Sequence, residues 1–100
     1  MKNKEDYFNI LRNIKKYPSS TQRELANKSG VSLGKFNYCL KALTQKGLVK
    51  IQNFKDNKKK INYIYVLTPK GIMEKTKLTV NFMNQKIKEY DELKLEVKNK

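Results

Sequence analysis

The chain has no histidine and a single cysteine, and these two shortages exclude more chemistry than any residue present suggests. One thiol cannot close a disulfide within the chain, and a lone thiol without imidazole argues against a structural or catalytic zinc site. There is no histidine to act as general base, and the nine carboxylates are scattered along helical patterns. No acid–base pair, nucleophile triad or phosphate loop emerges, so the sequence reads as a non-enzyme with no metal and no cofactor. Apolar residues never run for the roughly 18 positions a membrane helix needs. The start, MKNKEDYFNI, is too charged for the apolar core of a signal peptide, which predicts a cytoplasmic protein. A membrane-surface role would need a helix with a strongly basic polar face, and the last helical pattern is too mixed in charge. No internal repeat or low-complexity segment is visible.

What is abundant is positive charge. Lysine and arginine total 23 against those nine acids, a formal charge of +14 in 100 residues. A chain of this length builds one modest core without a large enclosed pocket. The excess suits a polyanion, nucleic acid being the commonest, although ribosomal, membrane-surface and merely lysine-rich proteins share it. Its distribution says more. Residues 1–68 hold 15 basic and four acidic side chains, whereas residues 69–100 hold eight and five. The positive field belongs to the first part.

Within that part, TQRELANKSGVSLGKFNYCLKALTQKGLVK (residues 21–50) has two short helical patterns around a tight Ser29-Gly30-Val31 turn. Thr21 is placed as an N-cap, with Glu24 three residues on to complete a capping box. Leu25 and Ala26 face inward, and Gly30 supplies the positive φ of a sharp turn. Val31 plugs the corner and Ser32 caps the second helix. Phe36, Cys39, Leu40 and Leu43 recur at three- and four-residue spacing as its buried face, and Gly47 closes it. This is the pattern of a helix-turn-helix, whose second helix lies in a DNA major groove. Cys39 is level with Phe36 and Leu43, so it reads as an inert core thiol rather than a redox switch.

The flanks complete the architecture. Residues 4–16 predict an amphipathic helix with Tyr7, Ile10, Leu11, Ile14 and Tyr17 as its stripe and Phe8 beside it, stopped by Pro18. Leu48–Phe54 and Ile61–Leu67 are rich in β-formers, and between them lies the polar loop KDNKKK. Two strands joined by a basic loop after such a helix make the wing of a winged helix. Thr68-Pro69 then reads as N-cap plus N1 proline of a helix running to about Val97. The predicted fold is mainly α with a small β-hairpin: a winged helix-turn-helix over residues 1–68, followed by a long C-terminal helix over 69–100.

Three contact surfaces follow. On helix 32–46, opposite the buried face, stand Ser32, Gly34, Lys35, Asn37, Tyr38 and Lys41. Asn37 can read adenine through its amide, Lys35 or Lys41 can read guanine or grip phosphate, and Tyr38 can reach a phosphate or a thymine methyl. Gly34 either lets the helix N-terminus approach the duplex closely or is simply tolerated in the first turn. On the wing, Lys55, Lys58, Lys59 and Lys60 are expected on the flanking backbone or minor groove; the alternative is a solvated hairpin tip that keeps a strand edge from aggregating. Along the last helix, Ile72, Thr76, Val80, Met83, Ile87, Tyr90, Leu93 and Val97 follow at steps of three or four. This helix of about eight turns is longer than so small a core can cover. Val80, Met83, Ile87, Tyr90, Leu93 and Val97 are therefore assigned to homodimerisation, the alternative being a helix folded back on the first helix. The expected partner is double-stranded DNA; an RNA-binding or protein-docking winged helix is the rival.

The stretches SSTQRELANKSGVSLGKFNYCLKALTQKGLVKIQNF, YIYVLTPKGIMEKTKLTVNF and KEYDELKLEV carry a resemblance as well. The chain resembles the MarR superfamily of winged-helix transcriptional regulators, and more narrowly the short MarR-type family found with exopolysaccharide biosynthesis genes. The resemblance implies a bacterial-type repressor or activator near polysaccharide genes. Larger MarR regulators have longer dimerisation arms on both sides, with a small-molecule cleft between arm and DNA-binding lobe. Here there is one short N-terminal and one C-terminal helix, so an effector is not expected to carry over, and any signal is expected through expression level or a protein partner.

Overall fold

Capping and charge set the first helix boundaries in the computed structural model, which describes residues 4–55 and 61–99. Helix α1 (Lys4–Lys16) carries Glu5 and Asp6 in its first turn and Lys15 and Lys16 in its last, each sign at the favourable end of the macrodipole. Ile10, Leu11 and Ile14 are its buried face. Tyr17, expected on that stripe, lies past the helix end and is 38% exposed. The backbone there turns toward Pro18, and the Lys28 ammonium sits 4.1 Å from the Tyr17 ring centre.

Helix α2 (Gln22–Ser29) begins at the capping box. The Glu24 amide donates to Thr21 Oγ1 (3.1 Å) and the Thr21 amide donates to the Glu24 carboxylate (2.9 Å). That second bond holds the Glu24 pKa below its ordinary value. Gly30 ends the helix at φ 73°, its amide reaching the Ala26 and Asn27 carbonyls. Ser32 then caps helix α3 (Leu33–Gln45) by accepting from the Lys35 amide at 3.1 Å. Strands β1 (Val49–Lys55) and β2 (Ile61–Leu67) pair antiparallel, from Val49 opposite Leu67 to Lys55 opposite Ile61.

Helix α4 (Pro69–Lys98) starts at Thr68, whose hydroxyl accepts from the Gly71 amide and donates to the Gly47 carbonyl. Gly71 is buried, and a Cβ there would run into the Leu48 carbonyl oxygen. The missing side chain is what lets α4 leave the hairpin so close to β1. One core joins all the elements. Ile10, Leu11 and Ile14 of α1 meet Leu25, then Phe36, Cys39 and Leu43 of α3, with Val49, Tyr65 and Leu67 from the sheet. Leu78 of α4 belongs to the same cluster, so the core runs past residue 68. Phe82 extends it by stacking on Phe8, ring centres 4.9 Å apart. From Met83 to Asn99 every residue is exposed, and the molecule is accordingly elongated, 65 × 24 × 22 Å.

Candidate nucleic-acid interface

Helix α3 presents two contrasting sides. Phe36, Cys39 and Leu43 have no exposed surface, which fixes the helix against α1 and α2. Gly34, Asn37, Tyr38 and Lys41 are exposed, and Ser32 is exposed at the cap. Ser32 Oγ is already engaged by the Lys35 amide, so the cap accepts from inside the helix. A Cβ at Gly34 would meet nothing within 4 Å. The first turn is open on that side, and nothing in the fold requires glycine there.

Lys35 stands apart from its neighbours. Its ammonium lies 2.9 Å from Asp6 Oδ2 on α1, an ion pair that raises the Lys35 pKa. The helical rotation puts Lys35 on the flank of α3 that looks toward α1, whereas Lys41 lies near the centre of the open side.

Asn37 and Lys41 form one wall of a shallow groove of about 250 Å³. Gln22, Gln45 and Ile51 complete it, joining the start of α2, the end of α3 and the root of the hairpin. The sequence reading did not single out these three. Gln45 was findable, since it follows Lys41 by four residues and Tyr38 by seven on one helical face. Gln22 and Ile51 come from other elements and had no local signal. Burial raises the pKa of the Tyr65 phenol, and the Gln22 side chain partly offsets that rise.

The expectation for the wing lysines falls largely outside the described residues. Lys58, Lys59 and Lys60 lie outside the described residues, and of Lys55 only its backbone at the end of β1 is described. On α4 the expected stripe faces away from the core, with Val80 43% and Val97 76% exposed and Met83, Ile87, Tyr90 and Leu93 between these values. A helix folded back on α1 along that stripe is not what the structure has. The contact with α1 uses Leu78 and Phe82, on another side of the helix.

A second cleft, about 280 Å³, lies between α1 and α4, floored by Leu11, Leu43 and Leu78 and rimmed by Lys4, Lys46 and Lys70. The Lys46 ammonium is 5.0 Å from the Tyr7 ring centre at its edge. Among the described residues no group of three His, Cys, Asp or Glu side chains could hold a metal, and no helix is long and apolar enough to cross a membrane.

Residues 8–50 match a family described as winged helix-turn-helix DNA-binding. No curated protein matches the chain. Among solved structures, MarR of Staphylococcus aureus in complex with salicylate and kanamycin is 25% identical at a TM-score of 0.63, over 88% of this chain and 56% of that one. A MarR-family regulator of Silicibacter pomeroyi reaches a TM-score of 0.68 at 16% identity, over 86% and 56%. The zinc-responsive MarR-family member ZitR of Lactococcus lactis gives 0.65 at 22%, over 88% and 58%. This chain thus spans a little over half the length of those three proteins. Residues 8–50 are similar to a winged helix-turn-helix DNA-binding segment, and the chain that carries them has the fold of MarR-family regulators.

Proposed function

We propose that this chain is a MarR-type transcription regulator that binds double-stranded DNA sequence-specifically as a homodimer and, on the resemblance in its sequence, acts at polysaccharide biosynthesis genes. The observation that carries the proposal is the two-sidedness of α3. One side is locked by Phe36, Cys39 and Leu43, and the opposite side offers Asn37, Tyr38 and Lys41 to solvent. A helix held so firmly from behind presents its polar side chains in fixed register, as reading base edges requires.

In this reading residues 1–68 contact DNA and residues 69–100 pair the subunits. Helix α3 enters the major groove. Asn37 pairs with an adenine edge, Lys41 takes a phosphate or a guanine, and Tyr38 contacts a phosphate or a thymine methyl. The amide-rich α3 N-terminus beside Ser32 and Gly34 faces a backbone phosphate. Lys55, Lys58, Lys59 and Lys60 bring the wing to the flanking backbone or minor groove. Paired α4 helices set two α3 helices about 34 Å apart, on an inverted repeat.

The test is fluorescence polarisation with duplexes tiled across the gene's own upstream region, repeated over a salt series. Tight, competitor-resistant binding to a tile holding an inverted repeat is the expected result. Weak binding to every tile that vanishes with salt would overturn it in favour of RNA or a protein partner.

A further inference from the structure

We infer that α4 pairs antiparallel with α4 of a second copy, the acidic end of each helix lying along the basic part of the other. This rests on the homodimer just proposed and adds its direction.

Two separate sides of α4 carry apolar residues. Gly71, Leu78 and Phe82 are spent on the chain's own core. Val80, Met83, Ile87, Tyr90, Leu93 and Val97 are exposed away from that core, at steps of three or four. Past Phe82 every described residue of the helix is exposed, so Met83 to Lys98 projects by about 24 Å. A helical segment of that length is marginal alone in water, and burial of its apolar stripe is the usual remedy. The stripe is aliphatic apart from Tyr90, and an identical helix offers it both a matching apolar face and, as its charges show, a complementary one.

Charge selects the direction. From Pro69 to Lys88 the helix carries five lysines and one acid, Glu74. From Glu89 to Lys98 it carries Glu89, Asp91, Glu92 and Glu96 against two lysines. Parallel pairing sets the basic part beside its basic copy and the acidic end beside its acidic copy. Antiparallel pairing about a midpoint near Ile87 brings Glu96 of each copy level with the Lys75–Lys77 stretch of the other and Glu89 beside its Lys86, leaving like charge together where Lys86 and Lys88 meet at the midpoint, and it opposes the two macrodipoles as well. Val80 then falls level with the partner stripe between Tyr90 and Val97. Lys94 flanks that stripe, its ammonium drawn over the Tyr90 ring, 5.7 Å from the centre, leaving its methylene stem to cover apolar surface.

The test is oxidative cross-linking of the full chain carrying single exposed cysteines, with Cys39 left in its buried place. Ile87→Cys, near the midpoint, should link to its own copy. Val97→Cys alone should link poorly, because antiparallel copies separate these positions by about 30 Å, far beyond the roughly 7 Å between Cα atoms that a disulfide spans. An equimolar mixture of Val80→Cys with Lys94→Cys, which antiparallel pairing sets level with each other, should give a mixed covalent dimer, with roughly tenfold the yield of Val97→Cys by itself. Efficient self-linking of Val97→Cys would overturn the direction and leave the dimer intact. Failure of Ile87→Cys to link, with a monomeric mass by light scattering, would overturn the direction and the dimer together. A dimeric mass with no link at any of these positions would place the contact elsewhere and overturn the direction alone.

Discussion

Asp6 Oδ2 lies 2.9 Å from Lys35 Nζ, tying the first turn of α1 to the first turn of α3. The carboxylate neutralises the one lysine at the start of the helix proposed to enter the groove, and holds it to the side. Asp6→Asn should therefore raise affinity several-fold for all duplexes alike. The salt dependence should steepen by about 0.9 in the log–log slope if the freed lysine takes one phosphate. Lys35→Ala should cost less affinity than Lys41→Ala, because Lys35 is already occupied. Polarisation titrations of the three variants over a salt series check both statements, and unchanged affinity and slope in Asp6→Asn would show that the ion pair does not restrain Lys35.

Asn37 and Lys41 share one wall of the groove beside Ile51 but differ in what they can report. An amide matches the paired donor and acceptor of adenine, whereas an ammonium is satisfied by any phosphate. Asn37→Ala should relax preference at one position of the selected site, by about 1–3 kcal/mol of discrimination. If Lys41 holds a phosphate, Lys41→Ala should weaken every sequence and lower the salt slope by about 0.9. Selection from a random duplex pool, run for each variant, separates the two. Identical site logos for Asn37→Ala and the parent would remove Asn37 from the base-reading set.

The two exposed-versus-buried glycines give opposite expectations. At Gly71 a Cβ collides with the Leu48 carbonyl oxygen, which is fixed by the bond from the Thr68 amide. Gly71→Ala should cost about 1–3 kcal/mol as overpacking, lowering Tm by roughly 5–20 °C for a domain of this size. At Gly34 a Cβ meets open space, so Gly34→Ala should leave the fold intact or stabilise it by up to about 1 kcal/mol. Thermal unfolding of the pair tests the packing. DNA titration of Gly34→Ala then decides the role: lost affinity in a fully stable variant means the bare backbone was needed for close approach.

Local chemistry explains which features were legible in the sequence. Thr21 with Glu24, Ser32 with the Lys35 amide, and Thr68 with Pro69 each act within four residues, so the helix starts could be read directly. The strand limits differed by one residue at β1, Leu48–Phe54 expected against Val49–Lys55 found. Leu78 and Phe82 were missed because α4 bears two interleaved apolar sides, and the longer exposed stripe masked the shorter buried one. Lys35 was assigned by its place on a helix, but its partner comes from 29 positions earlier in the chain, which no periodicity reports. The open side of α3 was readable from Phe36, Cys39 and Leu43, whereas Gln22 and Ile51 reach it only through tertiary folding.

Cys39 has no exposed surface, and burial pushes its thiol pKa up, with the Asp6 charge adding to the effect and Lys35 opposing it. The folded chain thus disfavours the thiolate, while the unfolded chain ionises near pH 8.5. Stability from this group is complete below about pH 8.5 and falls as pH rises through the higher folded value. Tyr65, also raised by burial, adds in the same direction at still higher pH. Unfolding midpoints should therefore decline from about pH 8.5 upward, and part of the decline should disappear in Cys39→Ala compared with its own stability at pH 7. Maleimide labelling of the folded chain at pH 7 should be slowed at least about a thousandfold relative to the unfolded chain. Fast labelling would show that Cys39 is reached without unfolding, and would reopen a redox role for it.

Met83 and Ile87 lie on the exposed stripe just beyond Phe82, where α4 parts from its own domain. Neither side chain contributes to the core, so a carboxylate there costs the isolated fold little, whereas at the centre of a helix pair it would be buried without a partner. The double variant Met83→Glu with Ile87→Glu should keep the thermal transition of a dissociated parent and run at monomer mass in light scattering. Its affinity for one half-site should match that of the parent, and its preference for an inverted repeat should be lost, because pairing adds affinity only when both half-sites are engaged. Parent-like mass in this variant would mean that some other surface joins the subunits. A monomer that still discriminates inverted repeats from single half-sites would mean that pairing occurs on the duplex through contacts other than α4.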